Sequence, residues 1–325
     1  MQKVLRGISV FMIVLGACVC MYPKASLMYG EYKRNAVIRE FEEETKDYPK
    51  QYQTPQPNTK EQERQQTNTK KLLDMLYQEL QAYNEKIWQE NQKELKEAFS
   101  YEDSCFDLTG YGLNENVIAT LWIPRMEVEL PVYLGATQEN MKKGAVILGQ
   151  TSMPLGGENT NTVIAAHRGG GSTPMFRNIQ LLQTGDKIQI RTPFDTLIYR
   201  VSEIEIILPN EVEEILIKPG EDMITLLTCH PYTKSTHRYL VKAKRSFEEE
   251  TSREEDLQEA AESRVAESEE LTPAPDELLE AAGIHYSQTQ IMLEKYGTLV
   301  GTIILVYVCI SGLVGFIKSK RKRKR

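Results

Sequence analysis

Between Val117 and Arg245 the chain is divided into eight short runs, VIATLWI, VELPVYL, AVIL, TVIAAH, KIQIR, TLIYRVSEIEIIL, MITLLTC and RYLVKAK, separated by Gly, Pro and Asn. Runs of this length, rich in β-branched and aromatic residues and bounded by turn formers, predict strands. Eight of them on short connections predict an antiparallel sandwich or a closed barrel. Helical turns are expected near MFRNIQ and EVEEIL, and neither is long enough to be the crossover of a parallel α/β sheet. The expected class is mainly β, a closed eight-stranded barrel with short helices.

Upstream of this region the chain is polar from Tyr29 to about Phe99, and YPKQYQTPQPNTK, with its three prolines, reads as a linker. The stretch that follows carries Leu73, Leu76, Tyr77, Leu80, Tyr83, Ile87 and Trp88 at spacings of three and four. This periodicity predicts an amphipathic helix whose apolar stripe docks on the adjacent domain. Downstream, Glu dominates from Glu248 to about Glu280, with TPAP at Thr272 to Pro275. A charge run of this kind predicts a solvated stalk or a fraying helix.

Both ends are apolar. ISVFMIVLGACVCMY runs from Ile8 to Tyr22, and YGTLVGTIILVYVCISGLVGFI runs from Tyr296 to Ile317. The second has the length of a membrane span, and the first is marginally short. Lys3 and Arg6 precede the first and KSKRKRKR follows the second, so the positive-inside bias predicts a two-pass protein of the cell membrane. Both termini would be cytoplasmic and the domain between them extracellular; a cleaved signal peptide is the rival reading of the first run.

The formal charge of -7 combines a basic tail with acid-rich segments, which argues against a nucleic-acid role. Of five cysteines, only Cys105 and Cys229 lie between the apolar ends, so there is no disulfide framework. No metal-ligand spacing is present either, and no cofactor is implied.

Cys229 ends an apolar run, where a cysteine is most often a small core residue. The barrel region also holds His167, His230 and His237, and Arg238 opens the strand after Cys229. A thiol catalyst needs a base or cation partner and an anion stabiliser. In an extended chain neighbouring side chains face opposite ways, so Cys229 and His230 diverge. For the same reason at most one of His237 and Arg238 shares the face of Cys229. His167 closes TVIAAH at a strand end, beside the glycine loop RGGG, where a side chain can reach a cleft.

These residues carry a family resemblance. TLLTC resembles the T-L-x-T-C signature of sortases, AAHRG carries the histidine of that family, and Arg238 falls where its arginine belongs. The likeness runs from about Tyr101 to Arg245, through IPRMEVELPVYLG, GQTSMPLGGENTNTVIAAHRG, LLTCHPY and HRYLVKAKR, and is that of a class C, or pilus-assembling, sortase. It implies a sortase-type barrel over residues 101–247, preceded by an anchor or signal (1–22) and a linker with a helical lid segment (23–100). An acidic stalk (248–295), a transmembrane helix (296–317) and a basic tail (318–325) would follow.

The resemblance makes Cys229 the nucleophile, His167 the proton-transfer partner and Arg238 the group that steadies substrate and oxyanion, with no role for His230 or His237. It implies cleavage of an LPxTG-like sorting signal between Thr and Gly through a thioester, with transfer of the acyl group to a pilin lysine. The implied partners are sorting-signal-bearing surface proteins, pilin subunits and a membrane holding two anchors. Two alternatives stay open: a wall-anchoring sortase that uses a peptidoglycan amine, and a non-catalytic anchored scaffold. Class C members usually carry an Asp-Pro-aromatic lid before the barrel. Here that place reads Glu97-Ala98-Phe99, so Phe99 is the lid candidate and only weak autoinhibition is expected. Cys105, a few residues on, is a remote candidate for a disulfide with Cys229.

Overall fold

The computed structural model describes residues 2–46, 60–96, 103, 106–169, 175–231, 235–248 and 250–269. The chain divides into two compact units, one made of Met1–Glu31 with Pro273–Arg325 and the other of Tyr32–Thr272. Within the first, only the start of helix α1 (Gln2–Thr45) is described.

The second unit is built on a closed barrel. Its strands are β1 (Val117–Ile123), β2 (Val128–Leu134), β3 (Ala145–Ile147), β4 (Thr160–Ala165), β5 (Lys187–Arg191), β6 (Thr196–Ile207), β7 (Asp222–His230) and β8 (His237–Ser246). Around the barrel the order is β1-β2-β3-β4-β7-β8-β6-β5. Every strand lies on one of the eight predicted runs. Single 3-10 turns at Ile179–Leu181 and Val212–Ile215 fall on or beside the two predicted helical turns.

The barrel is not wholly antiparallel as the short connections suggested, because β2 pairs with β3 and β4 pairs with β7 in parallel. Parallel neighbours cannot be joined by a hairpin. The first pair is bridged by a short helix, α3 (Gln138–Lys143), capped by the Thr137 side chain accepting from the Asn140 amide. At the end of α3 a Cβ on Gly144 would lie 2.4 Å from the Pro131 carbonyl oxygen, so only glycine lets this crossover press against β2. The second pair is separated in sequence by β5 and β6, and that long excursion leaves no local signal. The interior holds Ile118, Leu121, Leu130, Val132, Ile224, Leu226 and Val241, all fully buried.

Helix α2 (Lys60–Gln89) packs as its periodicity predicts, with Leu73, Leu76, Leu80 and Ile87 at 1% exposure or less. Each such side chain contributes about 1.5–3 kcal/mol of burial. Polar pins fix its register. Asn84 accepts from the Met153 amide at 2.7 Å and donates to the Met153 carbonyl at 3.1 Å. Gln92, just past the helix, donates to the Gln150 carbonyl at 2.8 Å and accepts from the Ile217 amide at 2.6 Å. The loop so held leads directly into β4.

Part of the acidic run folds as α4 (Arg253–Glu269) and docks on the barrel instead of standing in solvent. Asp256 is buried, accepting from Lys187 Nζ at 2.6 Å and from Trp122 Nε1 at 3.1 Å. Arg253 lies over the Trp122 ring, 4.1 Å from its centroid, and pairs with Glu129 at 2.7 Å. Nearby, Arg191 on β5 binds Glu42 of α1 at 2.8 Å and Glu250 at 2.6 Å.

The expected two-pass placement, with both termini cytoplasmic, is corrected here. Among the described residues no helix is long and apolar enough to cross a membrane. The first apolar run is only the start of a 44-residue helix that continues through Lys24, Glu31, Lys33 and Arg34 to Thr45. The second run (296–317), the basic tail (318–325), stalk residues 270–295 and linker residues 47–59 lie outside the described residues.

Asp256→Ala would leave the Lys187 ammonium buried without its carboxylate, a change that costs about 3–5 kcal/mol. Urea unfolding of the full chain is expected to show a lower midpoint by a corresponding amount at unchanged slope.

Candidate active site

Strand register decides which polar side chains meet. β7 and β8 pair antiparallel with Cys229 opposite Arg238 and His230 opposite His237. Directly opposed residues project from the same face of a sheet, so Arg238, and not His237, shares the face of Cys229. β4 pairs with β7 in parallel as far as Ala165 opposite Leu227. Two residues further on, the two chains reach His167 and Cys229. The last backbone bond between them runs from the Ala166 amide to the Leu227 carbonyl at 3.2 Å, and the His167 carbonyl then accepts from the Phe176 amide at 3.0 Å. The predicted trio thus stands at one edge of the barrel.

Burial sets the charge states of this trio. Cys229 is a partly buried free thiol. Burial pushes its pKa up, and a hydrogen bond with Ser235 and the charge of Arg168 pull back against that. His167 is partly buried, and both its burial and the charge of Lys142 push its imidazole down. At neutral pH the pair is therefore weighted towards thiol and neutral imidazole. Arg238 is 7% exposed, and its guanidinium donates to the carbonyls of Ser235 at 3.1 Å and His237 at 3.0 Å. Guanidinium stays charged through this burial.

On the opposite face stands a second group, which composition and spacing did not reveal. His230 is fully buried, and its Nδ1 accepts a hydrogen bond from Arg168, the residue after His167. Arg168 is 5% exposed; it also donates to Gln180 Oε1 at 3.1 Å and lies 5.4 Å from the centre of the Tyr239 ring. Burial, Arg168 and His237 push the His230 imidazole down to about 4, which leaves Nδ1 unprotonated and able to accept. Thr228, on the other side of Cys229, donates to the Ala166 carbonyl at 2.7 Å. The one available clue in the sequence was that Thr228, His230 and Arg168 directly flank the two candidates.

Phe99 and the rest of the Glu97-Ala98-Phe99 lid region lie outside the described residues, as does Cys105. Among the described residues, no cluster of three or more His, Cys, Asp or Glu side chains offers a metal site.

A Sortase domain family model matches residues 121–246, which span the barrel from β1 to the end of β8. Among solved structures, Sortase C1 of GBS Pilus Island 1 is 30% identical with a TM-score of 0.54, over 67% of this chain and 95% of that one. A pilus-related sortase C of Group B Streptococcus is 33% identical with a TM-score of 0.50, over 54% of this chain and 90% of that one. The chain belongs to the sortase family. It is also similar to Sortase A of Streptococcus agalactiae, 29% identical over 134 residues, and to Sortase A of Bacillus anthracis, 29% identical over 127 residues. Those matches take in 40% and 39% of this chain but only 53% and 59% of the two relatives.

The low pKa of His230 gives folding a pH dependence with a definite sign. An unfolded histidine takes up its proton near pH 6.5, whereas folded His230 does so only near 4. Between those values the unfolded chain binds more protons, so this contribution to stability is complete above 6.5 and is lost as pH falls towards 4. His167 acts in the same direction. The urea midpoint is expected to drop between about pH 7.5 and about pH 5, and to drop less in His230→Asn.

Proposed function

We propose that this chain is a cysteine transpeptidase that cleaves an LPxTG-like sorting signal between Thr and Gly and passes the acyl group to a pilin lysine. The observation that carries this reading is the register. Cys229 and Arg238 are direct cross-strand partners, and His167 lies two residues past the last β4–β7 pair.

The chemistry follows from those positions. The Cys229 thiol gives its proton to His167, and the sulfur attacks the Thr carbonyl carbon, moving the carbonyl electron pair onto oxygen. Arg238 stabilises that oxyanion with a fixed charge and several donors. The tetrahedral species collapses and breaks the C–N bond, while imidazolium at His167 protonates the departing glycine amine. A Cys229 thioester remains. In the second half His167 takes a proton from the incoming amine as its nitrogen attacks the thioester carbonyl, and the thiolate leaves. The product is an isopeptide bond, and the cysteine is regenerated. Because the thiol sits high and the imidazole low, the reactive thiolate–imidazolium form is a minority at rest.

The similar solved structures are pilus-related sortases, which favours a pilin lysine over a wall peptide as acceptor. Mass spectrometry of the full chain with a sorting peptide is expected to show an adduct on Cys229 with the mass of the peptide truncated after Thr. Cys229→Ala should give none, and Arg238→Ala should slow its formation by about 10²–10³. No adduct in the unmodified chain, or activity retained by Cys229→Ala, would support a binding scaffold instead. Release of the adduct by a wall-peptide amine but not by a pilin domain would favour wall anchoring.

A further inference from the structure

The catalytic reading leaves unexplained two buried polar side chains that flank its key residues. Arg168 follows His167, His230 follows Cys229, and the two are hydrogen-bonded to each other on the face away from the nucleophile. We propose that Arg168 and His230 are positioning residues, whose bond sets the distance and angle between His167 and Cys229 from behind the sheet.

The need for such a device lies in the backbone. Strand pairing between β4 and β7 stops at Ala165 and Leu227, and the final amide-to-carbonyl bond is that of Ala166. His167 therefore lies beyond the ladder, on a segment that leads into the glycine loop at Gly169. A side chain on such a segment is aimed only as well as its own backbone is held. Thr228 binds Ala166 and His230 binds Arg168, so both neighbours of the nucleophile hold both neighbours of the histidine.

The pair is built for rigidity. Arg168 and His230 are almost completely buried, the guanidinium is braced by Gln180 and Tyr239, and the His230 ring centre lies 5.7 Å from that of Tyr239. His230 occupies the face that its own pairing with His237 dictates. It therefore touches neither substrate nor thiol, and acts through the residues beside it.

This inference rests on the transpeptidase reading, and the test separates the two. The full chain is assayed with an LPxTG-type peptide and a lysine amine, alongside its thermal midpoint. His230→Phe keeps the ring but loses the acceptor. Its kcat is expected to fall about 10–100-fold with KM within about twofold, the size of effect that a misplacement of about 1 Å produces. In His230→Asn, Oδ1 stands in for Nδ1 and should restore most of kcat. Arg168→Met should be at least as slow as His230→Phe, since it also removes a charge that lowers the Cys229 thiol, and the double variant should be no slower than Arg168→Met, because both changes remove the same bond.

Unchanged kcat in a folded His230→Phe would overturn the proposal, as would additive losses in the double variant. So would a loss in His230→Phe that Asn does not repair. If His230→Phe fails to fold, His230→Leu compared with His230→Asn decides the matter, with the first slow and the second near normal if the proposal holds. A wild-type chain that forms no Cys229 adduct overturns the catalytic reading itself, whereas a competent wild type with unimpaired variants overturns only the positioning role.

Discussion

The parallel pairing of β4 with β7 is the constraint from which the site follows. Two parallel strands end at the same edge of a sheet, whereas an antiparallel pair would send their C-terminal ends to opposite edges. His167 follows the end of β4 and Cys229 stands near the end of β7, so the pairing direction alone brings them together. β8 turns back antiparallel from that edge, and its second residue is Arg238. One parallel and one antiparallel contact thus collect three residues from distant parts of the chain. The pins from α2 to the loop before β4 support the same strand from its other end.

Burial gives this edge its chemical character. It raises the thiol and lowers the imidazole, opposite to what a resting ion pair would need. A thiol that is mostly protonated at rest reacts slowly with oxidants and stray electrophiles, since the thiolate is the nucleophile. Arg238 supplies a charge that needs no proton transfer. Under the proposed mechanism the burden of alignment falls on His167, which has to be aimed correctly in the small fraction of time when its proton and the thiolate coexist.

Much of this was legible in the sequence. The eight strands follow from β-branched runs cut by turn residues, and the docking face of α2 follows from Leu73, Leu76, Leu80 and Ile87. Strand alternation alone set His230 apart from Cys229. It could not choose between His237 and Arg238, because that choice is a one-residue matter of register between β7 and β8. The parallel pairs were invisible for a different reason: the β4–β7 contact spans two intervening strands and leaves no periodic mark. The docking of α4 was hidden too, since a Glu-rich run reads as solvated until one of its carboxylates, Asp256, meets the buried Lys187. Arg168 looked like part of a loop motif, and its bond depends on a partner far along the chain, His230.

Arg191 has a consequence for how the two ends of the domain communicate. Its two terminal nitrogens are divided between Glu42, before the barrel, and Glu250, after it. Once one carboxylate has stilled the guanidinium, the other binds it without repeating that loss of side-chain entropy. The segments before and after the barrel thus share one cation, whose ordering serves both, while the two carboxylates on it repel each other. All three groups are about two-fifths exposed, so the coupling is mild and fades as added salt screens it. Ionic strength thus becomes a dial on how firmly that cation holds the two flanks, at a place on the barrel built from strands other than those that carry the cysteine.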